Sequence, residues 1–339
     1  MTVLTRHISD FLEHWAPNAT KMDYDNTGLL VGNYDQQIEN VLTCLDVTPA
    51  VIDEAIQKNV QLIVAHHPLI FPKIKRIISS DPVGAMLQKL IQHDISIIAS
   101  HTNLDAARSG VSKVLCDTLG LDNCSFLDDS YKTMRRMMLH IPSAMREDVE
   151  PVIDTFTLDE SWTTSEDNSS MVCFNIDKHH AAELKKKLSL ALDGAPYSLD
   201  EVSLEGSSPL FGFGMIGYFE KPLSRDAFLQ HVRTQLNAPA LRWAGDSKEI
   251  KKVAVCGGSG SSLINKAISS GADAFVTADI KYHDFFVPDN FLLVDAGHYE
   301  TEAPIIHTLK KRLQEAFPNT GVFATEINTN PMRGLDKKA

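Results

Sequence analysis

The sequence lacks the features that mark several protein classes. Its 339 residues hold no uninterrupted apolar run long enough to span a bilayer. The opening Met1-Thr2-Val3-Leu4-Thr5-Arg6-His7 has no apolar core of the signal-peptide kind. Cysteine is sparse: Cys44, Cys116, Cys124, Cys173 and Cys256 form no Cys-x-x-Cys pair and no framework spacing. That argues against a disulfide scaffold and for a reduced, cytoplasmic protein with buried thiols. Cys44, Cys173 and Cys256 fall in strand-like runs, where an inert buried thiol is expected, so a cysteine nucleophile finds little support. Positive charge is also short. A net charge of −12 argues against a nucleic-acid backbone or an anionic membrane as the main partner. The glycine-rich Cys256-Gly257-Gly258-Ser259-Gly260-Ser261-Ser262 matches neither the dinucleotide fingerprint nor the Walker pattern, and reads as a tight turn with a serine N-cap.

What is present is the composition of a soluble globular chain, 43% hydrophobic and 22% charged, long enough for two cores. Val3, Leu4, Ile8, Phe11, Leu12 and Trp15 recur at helical spacing up to Pro17. Apolar strand-like runs at 41–45, 62–64 and 95–99 then alternate with helical segments at 49–58, 82–92 and 110–119. The first helix has proline in its first turn and the second has Asp81 as its N-cap. The pattern returns after Lys251, with strands at 253–256, 274–277 and 291–294 and a last long helix over 303–317. Strands separated by helices mean βαβ units and a mainly parallel sheet. Between these halves the texture changes to strand, helix, strand, helix. The fold class is therefore α/β, built from two βαβ-containing halves (residues 1–130 and 205–339) that form one discontinuous domain. A small inserted α+β domain of βαβα pattern occupies 131–204.

The apolar run at 62–64 closes on Ala65-His66-His67-Pro68. The run at 95–99 leads to His101-Thr102-Asn103-Leu104-Asp105, and that at 291–294 to Gly297-His298-Tyr299-Glu300-Thr301-Glu302. Imidazoles and carboxylates are thus expected at the C-terminal ends of three strands of one sheet, the edge where open α/β sheets place ligand sites. A mixed histidine and carboxylate set is the donor chemistry of a catalytic transition-metal centre. Asp105 follows His101 by four residues and Glu302 follows His298 by four, a spacing that puts both side chains on one helical face. Pro304 places the start of the last helix near Glu302, with His298 just before it. Three histidines and two carboxylates exceed the three protein ligands of a mononuclear catalytic zinc. Two ions about 3.5–4 Å apart can share a carboxylate and a water that loses a proton near neutral pH, which would be a hydrolytic nucleophile. Asp279 and His283, in Thr277-Ala278-Asp279-Ile280-Lys281-Tyr282-His283, are candidates for orienting ligands or carrying protons, or Asp279 simply caps its turn.

Six motifs in order make the chain resemble the GTP cyclohydrolase 1 type 2 homologues, also called Nif-three-like dinuclear metal-centre proteins. They are Asp25-Asn26-Thr27-Gly28-Leu29, Ala65-His66-His67-Pro68-Leu69-Ile70-Phe71, His101-Thr102-Asn103-Leu104-Asp105, Gly257-Gly258-Ser259-Gly260, Thr277-Ala278-Asp279-Ile280-Lys281-Tyr282-His283 and Gly297-His298-Tyr299-Glu300-Thr301-Glu302. The resemblance implies that His66, His67, Asp105, His298 and Glu302 hold two divalent metal ions, and that His101 lines the same site as a ligand or just behind one. It also implies a toroidal homohexamer with the metal sites facing an internal cavity. Two departures stand out. Ala278 replaces the family's usual glycine before Asp279, and the insert lacks the Gly-x-Gly-x-x-Gly-x-Tyr signature of the PII-like domain in longer members.

The expected function is a dinuclear metal-dependent hydrolase of a nucleotide or related heterocycle, with GTP ring opening as the candidate that the resemblance names. Phosphoester hydrolysis fits the same donor set. The alternative is a non-enzymatic metal-binding regulatory or metal-trafficking scaffold. Histidine with carboxylate suits zinc, iron, manganese or cobalt, and the absence of cysteine ligands argues against copper(I) and iron–sulfur clusters.

Overall fold

A computed structural model describes residues 2–130, 132–164 and 168–333. In chain order the first outer segment runs α1 (Thr5–Trp15), β1 (Gly28–Val31), β2 (Asn40–Cys44), α2 (Pro49–Gln57), β3 (Leu62–Ala65), α3 (Pro82–Gln92), β4 (Ser96–Ala99), α4 (Thr102–Ala106), α5 (Val111–Thr118) and β5 (Asp122–Asp128). Then come β6 (Met134–Pro142), α6 (Arg146–Asp154), β7 (Asp159–Thr164), β8 (Ser169–Asp177), α7 (Ala181–Leu192) and β9 (Ser198–Ser203). The return segment runs β10 (Phe213–Ser224), α8 (Arg225–Gln235), β11 (Arg242–Ala244), β12 (Glu249–Ser259), α9 (Ile264–Ser269), β13 (Ala274–Ala278), β14 (Leu292–Asp295), α10 (His298–Glu302), α11 (Ile305–Ala316) and β15 (Gly321–Ala324). The chain divides into two compact units, one made of the outer segments up to Asp128 and from Phe213, the other of Asp129–Gly212.

The outer unit is α/β and carries two sheets, where the sequence reading expects its three histidine-bearing strands in one. The first is ordered β1-β4-β3-β2-β15, parallel from β4 to β15 with β1 antiparallel at its edge. The second is ordered β11-β14-β13-β12-β10-β5, with a parallel centre (β14, β13, β12) flanked by antiparallel strands. β3, β4, β13 and β14 are buried along their whole length, as parallel strands covered on both faces must be. Helix starts follow their chemistry. Thr48 accepts from the Val51 amide with Pro49 behind it, and Asp81 accepts from the Gly84 amide with Pro82 behind it.

The second unit is a correction to the βαβα expectation. It runs βαββαβ, with an antiparallel sheet ordered β7-β8-β6-β9. Its core joins Met137, Leu139 and Ile141 of β6 with Val149 and Ile153 of α6 and Leu184 and Leu188 of α7. The two strands missing from the sequence reading are polar: β7 reads DESWTT and β9 reads SLDEVS, the latter mostly exposed. Neither offers the apolar alternation that marks a half-buried strand. The last long helix expected over 303–317 is α11, Ile305–Ala316 with Pro304 at its N-cap, and His298–Glu302 forms a separate five-residue helix ahead of it. Among the described residues no helix is long and apolar enough to cross a membrane.

Candidate metal centre

His66 and His67 directly follow β3, and their amides extend the parallel ladder to Cys44 O (3.1 Å) and Leu45 O (2.9 Å). Alternation along a strand would send neighbouring side chains apart. Here the chain leaves the strand at Pro68 and both rings converge, 5.0 Å between centroids. His101, just past β4, lies 5.3 Å from each of them, and His298, at the start of α10 in the other half, lies 5.3 Å from His67. The histidines therefore arrive from the C-terminal ends of two sheets.

Each of the four rings is held by its Nδ1. His66 Nδ1 meets the Ser100 carbonyl at 2.8 Å, His67 Nδ1 meets Asp46 at 2.7 Å, His101 Nδ1 meets Asp25 at 2.8 Å and His298 Nδ1 meets Asp279 at 2.7 Å. A carbonyl or a carboxylate only accepts, so Nδ1 is the donor in every case and Nε2 is turned inward. Buttressing by a carboxylate or carbonyl is how metal-binding histidines are fixed in tautomer and orientation. The buttresses are themselves held. Asp25 accepts from the Thr102 amide (3.0 Å) and hydroxyl, and Asp46 from the Thr329 hydroxyl (2.6 Å).

Glu302 stands at the middle. Its Oε2 lies 3.0 Å from His67 Nε2 and 3.1 Å from His298 Nε2, while its Oε1 lies 3.7 Å from His66 Nε2. Asp105 Oδ1 is 3.6 Å from the same His66 nitrogen. The donor atoms fall into three groups, each within 4.8 Å: His66, Asp105 and Glu302; His67, His298 and Glu302; His66, His67 and His101. Glu302 belongs to two of them. His66 Nε2, Asp105 Oδ1 and Glu302 Oε2 are shielded from solvent without a hydrogen-bond partner. Three orphaned, convergent donors are costly to bury unless a cation satisfies them, so the residues fit a metal.

The charges agree. Burial opposes a charge on His67, but Asp46 and Glu302 outweigh it and raise its pKa to about 10. His298 is raised to about 9 by Glu302 and Asp279 against the same opposition. Burial lowers His66, the one ring held by a carbonyl. Asp105 is pushed well up by burial and by the Glu302 charge, whereas Glu302 stays well below the usual range despite its burial, because the imidazoles of His298, His66 and His67 crowd around it. Without a cation, protons hold this cluster of acids and imidazoles together.

Glycine makes room for Glu302. Gly258 has φ +60°, and a Cβ there would lie 2.1 Å from Glu302 Oε1. Its amide donates to Thr301 Oγ1 at 3.0 Å and its carbonyl accepts from Thr277 Oγ1 at 3.0 Å, tying the turn to α10 and β13. The glycine-rich turn is thus one wall of the cluster. Its expected serine cap is not seen: Gly260 precedes the following turn, with no side-chain cap. Ala278 continues β13 normally, and Asp279 itself takes the left-handed backbone, φ +56°.

Of the residues singled out in the sequence, His66, His67, His101, Asp105, His298 and Glu302 come together, and Asp279 stands behind His298. His283 does not join them; it is exposed and packs on Tyr282 and Phe286. Asp46 escaped the sequence reading altogether. Its signal was its position two residues beyond β2, at the same sheet edge as His66 and His67.

Fold and site together define an α/β protein that gathers histidines and carboxylates from two sheets into one buried donor cluster. The family model of Duf34/NIF3 (NGG1p interacting factor 3) matches residues 3–331, and the chain belongs to that family. It is 33% identical over 370 aligned residues to a Staphylococcus epidermidis protein named GTP cyclohydrolase 1 type 2 homolog, covering 96% of this chain and 98% of that one. A Staphylococcus aureus protein of the same name is 32% identical over 361 residues, covering 94% and 96%. The crystal structure of a Bacillus cereus protein related to NIF3 matches with TM-score 0.85 at 29% identity, covering 99% of this chain and 100% of that one. A solved Staphylococcus aureus structure matches with TM-score 0.76 at 30% identity, covering 98% and 99%.

Proposed function

We propose that the chain is a dinuclear metal-dependent hydrolase of nucleotides or related heterocycles, with the GTP ring opening suggested by its relatives' name as the first reaction to test. The observation that carries this reading is the division of Glu302, one oxygen toward His67 and His298, the other toward His66, whose group also holds Asp105. His66 and Asp105 would hold one divalent cation and His67 and His298 the other, with Glu302 shared. Bound there, a cation pair supplies Lewis acidity and a water acidified toward neutral pH. The donor set admits zinc, iron or manganese.

The chain's own residues do the rest. Asp46 and Asp279 keep Nε2 of His67 and His298 facing inward, so these rings are presented already oriented. His101, anchored by Asp25, aims Nε2 at the same space and is the group placed to move a proton between water and substrate. The family's toroidal homohexamer and a cytoplasmic location belong to the same reading, the first to be weighed by light scattering.

Metal content per chain, by elemental analysis of wild type and His66→Ala/Asp105→Ala purified without added metal, tests the centre. About two equivalents in the wild type and loss in the double variant support it. GTP hydrolysis that disappears in Asp105→Ala then supports the enzyme. Metal without turnover of any nucleotide leaves a metal-holding scaffold. No metal after anaerobic reconstitution with iron, zinc and manganese overturns the reading.

A further inference from the structure

Directly after the histidine pair, residues 69–80 read Leu-Ile-Phe-Pro-Lys-Ile-Lys-Arg-Ile-Ile-Ser-Ser, three cations and no acid in a chain of net charge −12. Several cations elsewhere pair off, such as Lys58 with Glu54, Lys89 with Asp53, Lys113 with Asp117 and Lys185 with Glu201. Lys73, Lys75 and Arg76 are exposed and make no ion pair or hydrogen bond among the described residues. The backbone of residues 69–77 likewise enters no backbone hydrogen bond among the described residues, yet both ends are tethered. Asn26 donates to Ile70 O at 2.6 Å, and Ile78 packs so tightly on α3 that a Cβ at Gly84 would lie 2.4 Å from its carbonyl.

The near end of this strap joins the cluster through rings. Phe71 sits edge-on to His101 at 6.1 Å, and Tyr24 edge-on to Phe71 at 6.3 Å. Tyr24 is 69% exposed and Phe71 47%, unusual for aromatics beside a buried polar site. A cavity of about 250 Å³ opens under the strap, lined by Leu69, Ile70, Lys73, Arg76, Asp81 and Val83. The five residue-to-residue steps from Phe71 to Arg76 span at most roughly 18 Å when extended, so ring and cations lie within one nucleotide's reach of each other.

We propose that Tyr24 and Phe71 with Lys73, Lys75 and Arg76 form the substrate-binding mouth of the centre, taking a planar heterocycle against the rings and its phosphates on the strap. Exposed rings offer stacking, which tolerates any base, and unpaired cations offer charge to phosphate oxygens. The strap thereby supplies the local attraction for an anion that the chain's overall charge denies. The proposal rests on the hydrolase reading for its class of ligand, but binding needs neither turnover nor metal.

The test is calorimetric titration of the full chain, EDTA-treated and zinc-reconstituted in parallel, with GTP, guanosine and inorganic tripolyphosphate. Lys73→Ala/Lys75→Ala/Arg76→Ala is expected to weaken GTP and tripolyphosphate by about tenfold or more, flatten their salt dependence and spare guanosine. Phe71→Leu is expected to weaken GTP and guanosine about tenfold and spare tripolyphosphate. Wild-type affinity for GTP in the triple variant overturns the proposal. So does a change of oligomeric mass in that variant with nucleotide affinity unchanged, which would make the strap a contact between copies, and so does absence of millimolar GTP binding in both wild-type forms. Zinc bound without nucleotide defeats this proposal alone. Strap-dependent nucleotide binding with no zinc uptake defeats the hydrolase reading and leaves the mouth standing.

Discussion

The two walls of the cluster are built to different standards. On the wall from the first sheet, His66 is fully buried and Asp25, behind His101, has a side chain wholly removed from solvent. On the wall from the second sheet, His298 is one-third exposed, and its buttress Asp279 is half exposed on a left-handed backbone. Both use the same device, Nδ1 on an acceptor, but burial immobilises His66 and the His101–Asp25 pair, while His67 with Asp46 and still more His298 with Asp279 rely on bonds that water can compete for. The first wall is a preformed half-site. The second can give slightly as a ligand arrives.

Glu302, which touches both walls, has the largest expected effect. Glu302→Gln keeps the shape and removes the shared charge, so metal content should fall from about two equivalents to near none, against a loss of about one in His298→Ala. A glutamine variant that retains both ions would break the idea that one carboxylate serves the two groups. Next is Gly258→Ala. Its Cβ would press on Glu302 Oε1 at 2.1 Å on a backbone of φ +60°, and about 1–3 kcal/mol of stability should go with the metal. Chemical denaturation and elemental analysis read both.

The contrast between walls sharpens with Asp46→Asn, behind His67, and Asp279→Asn, behind His298. Removing a histidine's buttress costs about 10–100-fold in metal affinity or activity, and the less exposed Asp46 should lie toward the top of that range, Asp279 toward the bottom. Equal effects would mean that burial adds nothing to the first wall. Competition against a fluorescent zinc chelator reads the difference.

Acidity should act on both walls through His67 and His298. In the metal-free protein their pKa values of about 10 and about 9 leave both protonated at neutral pH, so a cation must displace their protons and affinity should rise with pH. The stability these raised pKa values give the metal-free fold is full below the unfolded value near 6.5. It is lost as pH rises through about 9 and 10. Thermal melts of EDTA-treated protein should therefore decline over that range, while metal-loaded protein stays flatter. Identical profiles would show that these rings do not exchange protons for metal.

Much of this site was legible in the sequence because each histidine follows an apolar run that could only be a buried strand, as at 62–64 and 95–99. Donor chemistry then selected the residues that meet. The pairing of strands was not legible. Nothing local says that β14 joins β12 and β13 while β3 and β4 join β2, since parallel partners are chosen by packing between distant segments. Asp46 was missed for a related reason: one acid after a strand has a meaning only once β2 is known to lie beside β3. The hairpin of β5 and β10 was hidden by the residues that interrupt it.

That hairpin carries the smallest expected effect. Phe213 pairs with Asp128 in the antiparallel register of β10 and β5, so the chain leaves the outer unit and returns to it across one strand-to-strand step. Residues 129–212 therefore occupy the place of a hairpin loop, and a short Asn-Gly turn can replace them without moving either strand. Every residue of the donor cluster and every buttress lies outside that interval. The shortened chain should bind the same metal complement with affinity within about threefold of the full chain, since it loses no ligand or buttress. Loss of metal from a shortened chain that still melts cooperatively would tie the inserted unit to the centre, and the comparison that matters would then lie between the two units, not the two walls.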